Sequence, residues 1–294
     1  MDFEELTSSL ASGTTLTAEQ LGELARSRDL IGLGMLAGDA RGRRHGTRGT
    51  FVRVEIVDLE RALGNAPVDV PTAAGEVRLT GTPASLEQAC AAVARVAADA
   101  RVPLTGWALE DLASLAGSLE TAATALMAAG LAAVSTARID RLTGAQLHGL
   151  AAARLPLHTV TLGPPLDAEA LLAALQQLRA WQADAPVVVG CSPLPVEVSA
   201  DQPTTGYDDM RHVAVARLVL DNVPHIQADW TRMGAKLAQA CLLFGADDLD
   251  GVPARDDLPH GPRRAILEEV RRNILAASLD PVERDGRFAL REAR

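Results

Sequence analysis

The chain has 294 residues, of which 48% are apolar and 22% charged, a composition typical of one large globular domain or two small ones. Its 38 acidic side chains outnumber its 28 arginines and lysines, and the formal net charge of −10 disfavours a nucleic-acid-binding surface, because phosphate binding needs accumulated positive charge. No run of about eighteen apolar residues is present, so we expect no membrane span. Three widely spaced cysteines, Cys90, Cys191 and Cys241, argue against a disulfide framework.

The amino-terminal segment predicts helical structure without a targeting signal. Residues 1–10, MDFEELTSSL, lack the basic and apolar stretches of a secretory or transit signal, so we expect a cytoplasmic protein. A helical pattern follows over roughly residues 17–42. We therefore divide the chain into an N-terminal helical extension, residues 1–50, and a main domain, residues 51–294.

Short β-like runs alternate with longer amphipathic helical runs through the main domain. Two of the helix starts are marked by Ser85 with Gln88 and by Thr143 with Gln146, pairs that have capping-box spacing. Strands separated by helices imply parallel βαβ units, and eight such units are the size of a (β/α)8 TIM-type barrel. An open doubly wound sheet is the alternative, but no G-x-G-x-x-G follows the first strand. The predicted strands are Phe51–Val57, Glu76–Thr80, Arg101–Thr105, Ala132–Thr136, His158–Leu162, Pro186–Gly190, Val223–Gln227 and Leu242–Gly245.

The segment Thr204–Gly251 holds most of the candidate functional side chains. Arg217 and Asp221 stand four residues apart on a predicted helix, where a surface ion pair is the simpler interpretation. His225 and Gln227 are two apart on a predicted strand and therefore point the same way, towards the barrel interior or its mouth. A hydrogen-bonded core histidine is the alternative interpretation of His225.

Three carboxylates, Asp247, Asp248 and Asp250, lie in the loop predicted after the last strand. The carboxyl ends of the strands form the functional face of a barrel of this type, so we expect these groups there. Crowded like charges raise the pKa of at least one carboxyl unless cations or N–H donors offset them, which is compatible with a ligand or metal role. The run lacks the glycine and the distal glutamate of a calcium loop, and a solvated acidic turn explains it equally well.

Four motifs in this segment, TTGYDD, VARLVLDNVPHIQ, GAKLAQ and FGADDLDG, resemble the C-terminal part of the aminofutalosine synthases of menaquinone biosynthesis. More loosely, they are similar to the dehypoxanthine futalosine cyclases and the synthases of the deazaflavin chromophore. LGMLAGDARGRRHG, residues 33–46, and PVERDGRF near the end are similar to further stretches of the same enzymes. We therefore treat residues 204–294 as a family-type C-terminal region. The resemblance implies a radical S-adenosylmethionine (SAM) enzyme on a barrel fold, in agreement with the strand count.

The cluster motif that the resemblance implies is missing from this chain. In the resembling family, the first strand leads into a CxxxCxxC loop, whose thiolates hold a [4Fe-4S] cluster to which SAM binds. Residues 51–81 contain no cysteine, and Asp58, Glu60 and Arg61 occupy that loop. The turn that grips the methionine moiety in the family is reduced here to Leu79–Thr82. Because cluster irons need thiolate or equivalent ligands, we expect neither this cofactor nor its radical chemistry, and no other metal.

These observations predict a cluster-less relative of aminofutalosine synthase, a pseudoenzyme with respect to radical chemistry. Its partner would be a small-molecule intermediate of menaquinone biosynthesis, or a paralogous radical SAM enzyme that it supports. The alternatives are a non-radical acid–base enzyme, with His225 or one of the three aspartates as proton carrier, and a pure scaffold protein. The residues expected to line or brace the binding pocket are Tyr207, Arg217, His225, Gln227, Asp247, Asp248 and Asp250.

Overall fold

In the computed structural model, which describes residues 3–12, 15–197, 204–255 and 266–291, short strands alternate with helices through most of the chain. The strands are β1 (Arg48–Asp58), β2 (Glu76–Thr80), β3 (Leu104–Ala108), β4 (Leu131–Arg138), β5 (Leu157–Leu162), β6 (Val188–Pro195), β7 (His225–Asp229), β8 (Asp248–Pro253) and β9 (Asp280–Glu283). The helices are α1 (Phe3–Ala11), α2 (Ala18–Arg26), α3 (Leu30–His45), α4 (Leu59–Leu63), α5 (Leu86–Asp99), α6 (Leu109–Ala113), α7 (Leu119–Ala129), α8 (Gly144–Ala153), α9 (Ala168–Asp184), α10 (Gly206–Val219), α11 (Trp230–Leu243) and α12 (Ile266–Ala276).

The first eight strands close into a parallel barrel. They follow one another round the ring in chain order, and β1 pairs with both β2 and β8. The register between β1 and β2 runs from Val54 beside Glu76 to Asp58 beside Thr80. The predicted (β/α)8 TIM-type barrel is therefore confirmed, and the open doubly wound sheet is wrong.

Seven of the eight predicted strands overlap strands of the barrel, and the last prediction is wrong. Leu242–Gly245 instead spans the end of α11 and a turn in which Gly245 has a φ of +103°. The last barrel strand, β8, lies just beyond it and contains Asp248 and Asp250. Aspartate is depleted in strands, so the polar sequence concealed this one. Both carboxylates are buried in ion pairs with arginines, which is what allows them in a barrel strand.

Three helices, α1, α2 and α3, precede the barrel in the described residues. Thr17 and Gln20 form a capping box at the start of α2, and Asp29 caps α3 by accepting a hydrogen bond from the Gly32 N–H. Helix α3 packs along α10 and ends at His45, just before β1 begins. His45 is thereby brought to the amino-terminal end of the barrel.

The C-terminal segment adds a ninth strand to the outside of the ring. β9 pairs in parallel with the first half of β1, Arg48 to Phe51, whereas β2 pairs with the second half. β9 therefore occupies the place beside β1 that β2 leaves open at the amino-terminal end. The chain then continues as residues 284–291 beneath that end of the barrel.

The apolar core lies between the barrel and its helices. Val93, Leu126, Leu150 and Leu175, one each from α5, α7, α8 and α9, are fully buried there, as is Val134 of β4. Helix starts follow the predicted signals, since Ser85 caps α5 and Thr143 forms a capping box on α8. Among the described helices, none has the length and hydropathy needed to cross a membrane.

The closest approach inside the barrel yields a stability prediction at Gly190. A Cβ atom there would lie 2.5 Å from Oε1 of Gln227 and 3.0 Å from the carbonyl oxygen of His158. We expect Gly190→Ala to lower the free energy of unfolding by about 1–3 kcal/mol, because neither neighbour is free to move away. Urea unfolding followed by circular dichroism measures this loss.

Gly42→Ala is the matched control, because nothing lies within 4 Å of a Cβ at that position of α3. There we expect unchanged or slightly raised stability, by up to about 1 kcal/mol, because alanine is the better helix former. Equal effects at the two positions would contradict the packing described inside the barrel.

Candidate functional site

Three of the candidate residues lie at the amino-terminal ends of the strands, opposite to the predicted face. His225 is the first residue of β7, Asp248 is the first of β8, and Asp247 directly precedes it. The predicted placement of Asp247, Asp248 and Asp250 in a loop after the last strand is therefore wrong. The error follows from the misplaced last strand, because these residues begin the true one.

Tyr207 lies apart from the other candidates. It stands in the first turn of α10, and its side chain is 70% exposed. The remaining six are buried or half-buried and belong to two clusters of ion pairs, one inside the barrel and one beneath its amino-terminal end. These six are Arg217, His225, Gln227, Asp247, Asp248 and Asp250.

Asp248 forms the centre of the first ion pair inside the barrel. Its carboxylate accepts two hydrogen bonds from the Arg284 guanidinium, of 2.7 and 2.6 Å, and both side chains are fully buried. Gln227 donates to one carboxylate oxygen at 2.9 Å and Thr50 to the other at 2.7 Å. The Thr159 hydroxyl donates in turn to Gln227. Every polar group of this arrangement is satisfied, which a buried charge pair needs in order to be stable.

Asp250 forms the second ion pair inside the barrel. Its two oxygens accept hydrogen bonds of 2.9 Å from the Arg78 guanidinium, and Arg284 lies 3.5 Å away. Arg78 also donates to Glu76, which accepts a further hydrogen bond of 2.6 Å from Thr105. Burial alone would raise the pKa of Asp250, but the two arginines hold it well below its usual value. Asp250 is therefore ionised and paired inside the barrel.

Asp247 is the centre of the cluster beneath the barrel. One of its oxygens accepts hydrogen bonds from the Arg217 guanidinium and the Ile226 N–H, and the other lies 2.6 Å from Nδ1 of His225. Nε2 of His45 lies 3.6 Å from the first oxygen. Burial opposes ionisation of Asp247, but Arg217 and His225 hold its pKa well below the usual value. Burial also lowers the pKa of His45 to about 4.

The same cluster contains the residue types of a metal site, two histidines and a carboxylate. Suitable ligand atoms of His45, His225 and Asp247 lie within 4.8 Å of one another. Both oxygens of Asp247 are nevertheless engaged, one by the positive charge of Arg217 and the other by His225. Asp247 thus has its charge partners within the cluster, to which we assign a structural role. Nε2 of His45 and Nη1 of Arg217 have no hydrogen-bond partner among the described residues.

Phe288 connects the two clusters. Its ring stacks on that of His225 at a centroid distance of 4.4 Å, and the Arg284 guanidinium lies 3.7 Å from the ring centroid on which it rests. His158 meets the same ring edge-on at 4.9 Å. Sequence reasoning noticed the PVERDGRF motif but gave no role to Arg284 or Phe288. An arginine and an aromatic residue close together, in a chain with only four phenylalanines, are the signal that could have identified them.

At the carboxyl end of β1, the loop that would hold an iron–sulfur cluster is occupied by ion pairs. Asp58 caps α4 by accepting the Arg61 N–H, and the Arg61 guanidinium donates to Glu55 and to the Asp69 carbonyl. Arg255 donates to both carboxylate oxygens of Glu55, at 3.0 and 3.1 Å. The loop therefore presents guanidinium groups and carboxylates where the family implied by the resemblance has thiolates.

The cysteines of the chain stand elsewhere. Cys90 lies on α5, Cys191 on β6 and Cys241 on α11, and all three are free thiols. Burial raises the pKa of Cys191 to about 12 and raises that of Cys241 as well. A thiol must ionise to hold iron, so these residues and the β1 loop do not fit a [4Fe-4S] cluster.

Two buried polar groups near the carboxyl ends of the strands lack partners in the described part of the chain. They are Nε1 of Trp107, the penultimate residue of β3, and the hydroxyl of Ser192 in β6. Trp107 is 3% exposed and has a φ of +55°, a conformation that costs free energy for a bulky residue. Unpaired buried donors and strained backbone occur together at binding sites more often than in plain cores.

The C-terminal region of the chain is similar to known sequences. Residues 196–293 match the family described as the CofH/MqnC C-terminal region. Aminodeoxyfutalosine synthase of Thermus thermophilus is 41% identical over 103 residues, 33% of this chain and 27% of that protein. A second relative, 5-amino-6-(D-ribitylamino)uracil–L-tyrosine 4-hydroxyphenyl transferase of Methanoculleus marisnigri, is 57% identical over 47 residues, 16% of this chain and 13% of that protein. The matching segments thus span about a quarter or less of these relatives.

Solved structures match the whole barrel at low sequence identity. Methylornithine synthase (PylB) superimposes with a TM-score of 0.67 and 13% identity, covering 94% of this chain and 97% of that one. The FeFe-hydrogenase maturase HydG of Carboxydothermus hydrogenoformans gives a TM-score of 0.63 and 12% identity, covering 95% of this chain and 79% of that one. At such identities the likeness establishes the fold and nothing further.

The chain is thus a closed (β/α)8 barrel with the architecture of methylornithine synthase and HydG. Within that barrel, residues 196–293 match the family described as the CofH/MqnC C-terminal region. The resemblance predicted from the motifs of residues 204–251 is confirmed for this region.

The buried pair of Asp248 and Arg284 gives a second stability prediction. In Asp248→Ala the Arg284 charge stays buried, with Asp250 as its nearest carboxylate at 3.5 Å. We expect a loss of about 3–5 kcal/mol in the free energy of unfolding, measured by urea denaturation. The double variant Asp248→Ala/Arg284→Met should recover part of this loss, because it removes the unpaired charge.

Tyr207→Ala is the control for that experiment, because its exposed side chain predicts a change within about 0.5 kcal/mol. A loss below about 1 kcal/mol in Asp248→Ala would contradict the assignment. So would a double variant that is less stable than Asp248→Ala.

The pKa of His45 gives a pH prediction. It falls from 6.5 to about 4 on folding, so the unfolded chain binds the proton more tightly. The stability contributed by neutral His45 is therefore complete above the unfolded pKa and is lost as the pH falls through the interval between the two values. Between about pH 7.5 and pH 5, we expect the wild type to lose roughly 1–2 kcal/mol more than His45→Gln, allowing for solvent screening of the partly exposed ring.

The comparison with His45→Gln isolates this residue, because burial also lowers the pKa values of His158 and His212. Urea unfolding of the wild type and His45→Gln at the two pH values measures the difference. Equal losses in the two proteins would contradict the prediction.

Proposed function

We propose that this chain is a relative of aminodeoxyfutalosine synthase that works without an iron–sulfur cluster and binds an intermediate of menaquinone biosynthesis. The observation that carries the proposal is the pairing of two features in one barrel. The CofH/MqnC C-terminal region occupies residues 196–293, and residues 51–81 contain no cysteine. The chain keeps the family's C-terminal region and lacks the ligands of its radical initiator.

The geometry of the β1 loop supports the absence of a cluster. Glu55 is held between Arg61 and Arg255, with shortest contacts of 2.9 and 3.0 Å. A cluster at this loop would gain no thiolate from residues 51–81. The proposed function therefore contains no step that depends on a radical.

A binding site at the carboxyl ends of the strands is supported by the unpaired groups there. The Trp107 indole N–H and the Ser192 hydroxyl are buried and lack partners among the described residues. Each costs free energy in a dry environment unless a ligand or water pairs with it. A polar ligand group beside either of them would supply the missing partner.

The arrangement does not favour an acid–base enzyme that uses His225. Its ring is stacked on Phe288, with His45 close by on another side. The cluster also lies at the amino-terminal ends of the strands, whereas barrel enzymes carry out their chemistry at the carboxyl ends. We therefore place the proposed binding function at the carboxyl ends.

Thermal unfolding with added aminodeoxyfutalosine, futalosine or SAM tests the binding role. A ligand at about a hundred times its dissociation constant stabilises the folded state by roughly 2.7 kcal/mol, a readily measured shift in melting temperature. We expect stabilisation by aminodeoxyfutalosine or futalosine, and a weaker effect in Trp107→Phe, which lacks the indole donor.

Tyr207→Phe is the control, since its exposed side chain lies outside the proposed site. It should bind as the wild type does. A melting temperature unmoved by any of the compounds would contradict the binding role. Equal binding by wild type and Trp107→Phe would remove the carboxyl-end site from the proposal.

A further inference from the structure

A cavity of about 330 Å³ opens at the amino-terminal end of the barrel, between β4, β5 and β6 and the C-terminal residues 286–288. We call it the amino-end cavity. Its walls are mainly apolar, with an aromatic side, and carry Met127, Leu131, Ala133, Val189 and Phe288. This volume is within the range of small-molecule sites, which are concave, largely apolar and equipped with a few polar groups that fix the ligand's orientation.

Two arginines line the same cavity. Arg154, which follows α8, and Arg287, which follows the buried Gly286, both border it and are solvent-exposed. Neither guanidinium has a hydrogen bond or an ion pair with any described residue. This distinguishes them from Arg78, Arg217 and Arg284, each of which is engaged by a carboxylate. The cavity thus combines an apolar wall with two cations that have no counter-charge within the described structure.

One wall of the cavity, formed by His158, Gly286 and Phe288, is held in place by a hydrogen bond and by ring contacts. His158, which is 1% exposed, donates from Nε2 to the Gly286 carbonyl at 2.8 Å and meets the Phe288 ring edge-on. Phe288 is also held by His225, on whose ring it stacks, and by the Arg284 guanidinium, which lies over its own ring. The cavity therefore needs no rearrangement of its aromatic wall to accept a ligand, which lowers the entropic cost of binding.

We propose that the amino-end cavity binds a small organic carboxylate whose body is an apolar ring. The apolar wall provides the burial that favours the ring, and Arg154 and Arg287 provide the positive charge for the carboxylate. Guanidinium groups pair with carboxylates through two parallel hydrogen bonds, which no neutral group of similar shape can replace. A free inorganic anion would use the arginines but leave the apolar wall unfilled.

This site is separate from the one proposed at the carboxyl ends of the strands and does not depend on it. None of its lining residues lies in the β1 loop or beside Trp107. Failure of either proposal leaves the other standing.

Ligand-observed NMR titration with benzoate, benzamide and inorganic phosphate tests the proposal on the full chain. Benzoate should bind saturably, and benzamide and phosphate at least tenfold more weakly, because each lacks one of the two required features. The double variant Arg154→Gln/Arg287→Gln should weaken benzoate binding at least tenfold. Ala132→Leu, which adds bulk to a half-buried residue of the cavity wall, should abolish it.

Arg43→Gln is the matched control, because it removes an exposed arginine of α3 that does not border the cavity. It should bind benzoate as the wild type does. Circular dichroism and the melting temperature verify that each variant is folded. Equal affinities for benzoate and benzamide, or unchanged binding in the double arginine variant, would overturn the proposal, as would the absence of saturable benzoate binding.

Discussion

The ion pair between Asp248 and Arg284 is the contact on which the rest of this structure depends. Asp248 begins the last barrel strand, and Arg284 comes from the segment that follows β9. Moving two charges out of water costs several kcal/mol per ion, and only good geometry with further hydrogen bonds compensates for it. Two guanidinium contacts and the donors of Gln227 and Thr50 meet that requirement. The pair thereby ties the C-terminal segment to the interior of the barrel.

Further contacts connect this pair to the other ion pairs inside the barrel and to the cluster beneath its amino-terminal end. Within the barrel, Arg284 also lies 3.5 Å from Asp250, which continues the ionic contacts through Arg78 to Glu76. Beneath the barrel, the ring of Phe288 contacts both the Arg284 guanidinium and the ring of His225. The amino-terminal half of the barrel is therefore filled and braced by its own side chains. The two binding sites that we propose lie at the two ends of the barrel.

The alternation of β-like and amphipathic runs was enough to predict the barrel, because the spacing of apolar residues shows which face of each strand and helix is buried. It failed at β8, where Asp248 and Asp250 are buried as ion pairs and not as apolar side chains. The same error put the aspartates at the wrong end of the barrel. Their partners could not be found by spacing, because Arg78 and Arg284 lie far away along the chain. Pairings of this kind are decided by the closure of the ring.

His225 and Asp247, both members of the predicted site set, lie 2.6 Å apart. The set did not include His45, which belongs to the motif of residues 33–46 and whose position under the barrel depends on the packing of α3 along α10. Tyr207 was chosen from the motif around it, and no pattern along the chain distinguishes an exposed first turn from a pocket wall. Local motifs thus identified the segment that resembles the family. The contacts of its side chains could be found only from the folded structure.

The central claim is that this barrel carries the CofH/MqnC C-terminal region without the iron–sulfur cluster implied by the family resemblance. Anaerobic reconstitution of the full chain with iron and sulfide, followed by gel filtration and analysis of bound iron and sulfide, tests it most directly. We predict no stoichiometric iron or sulfide and no SAM cleavage on reduction, because the β1 loop offers guanidinium groups and carboxylates in place of thiolates. A stoichiometric four-iron cluster that cleaves SAM would contradict the account.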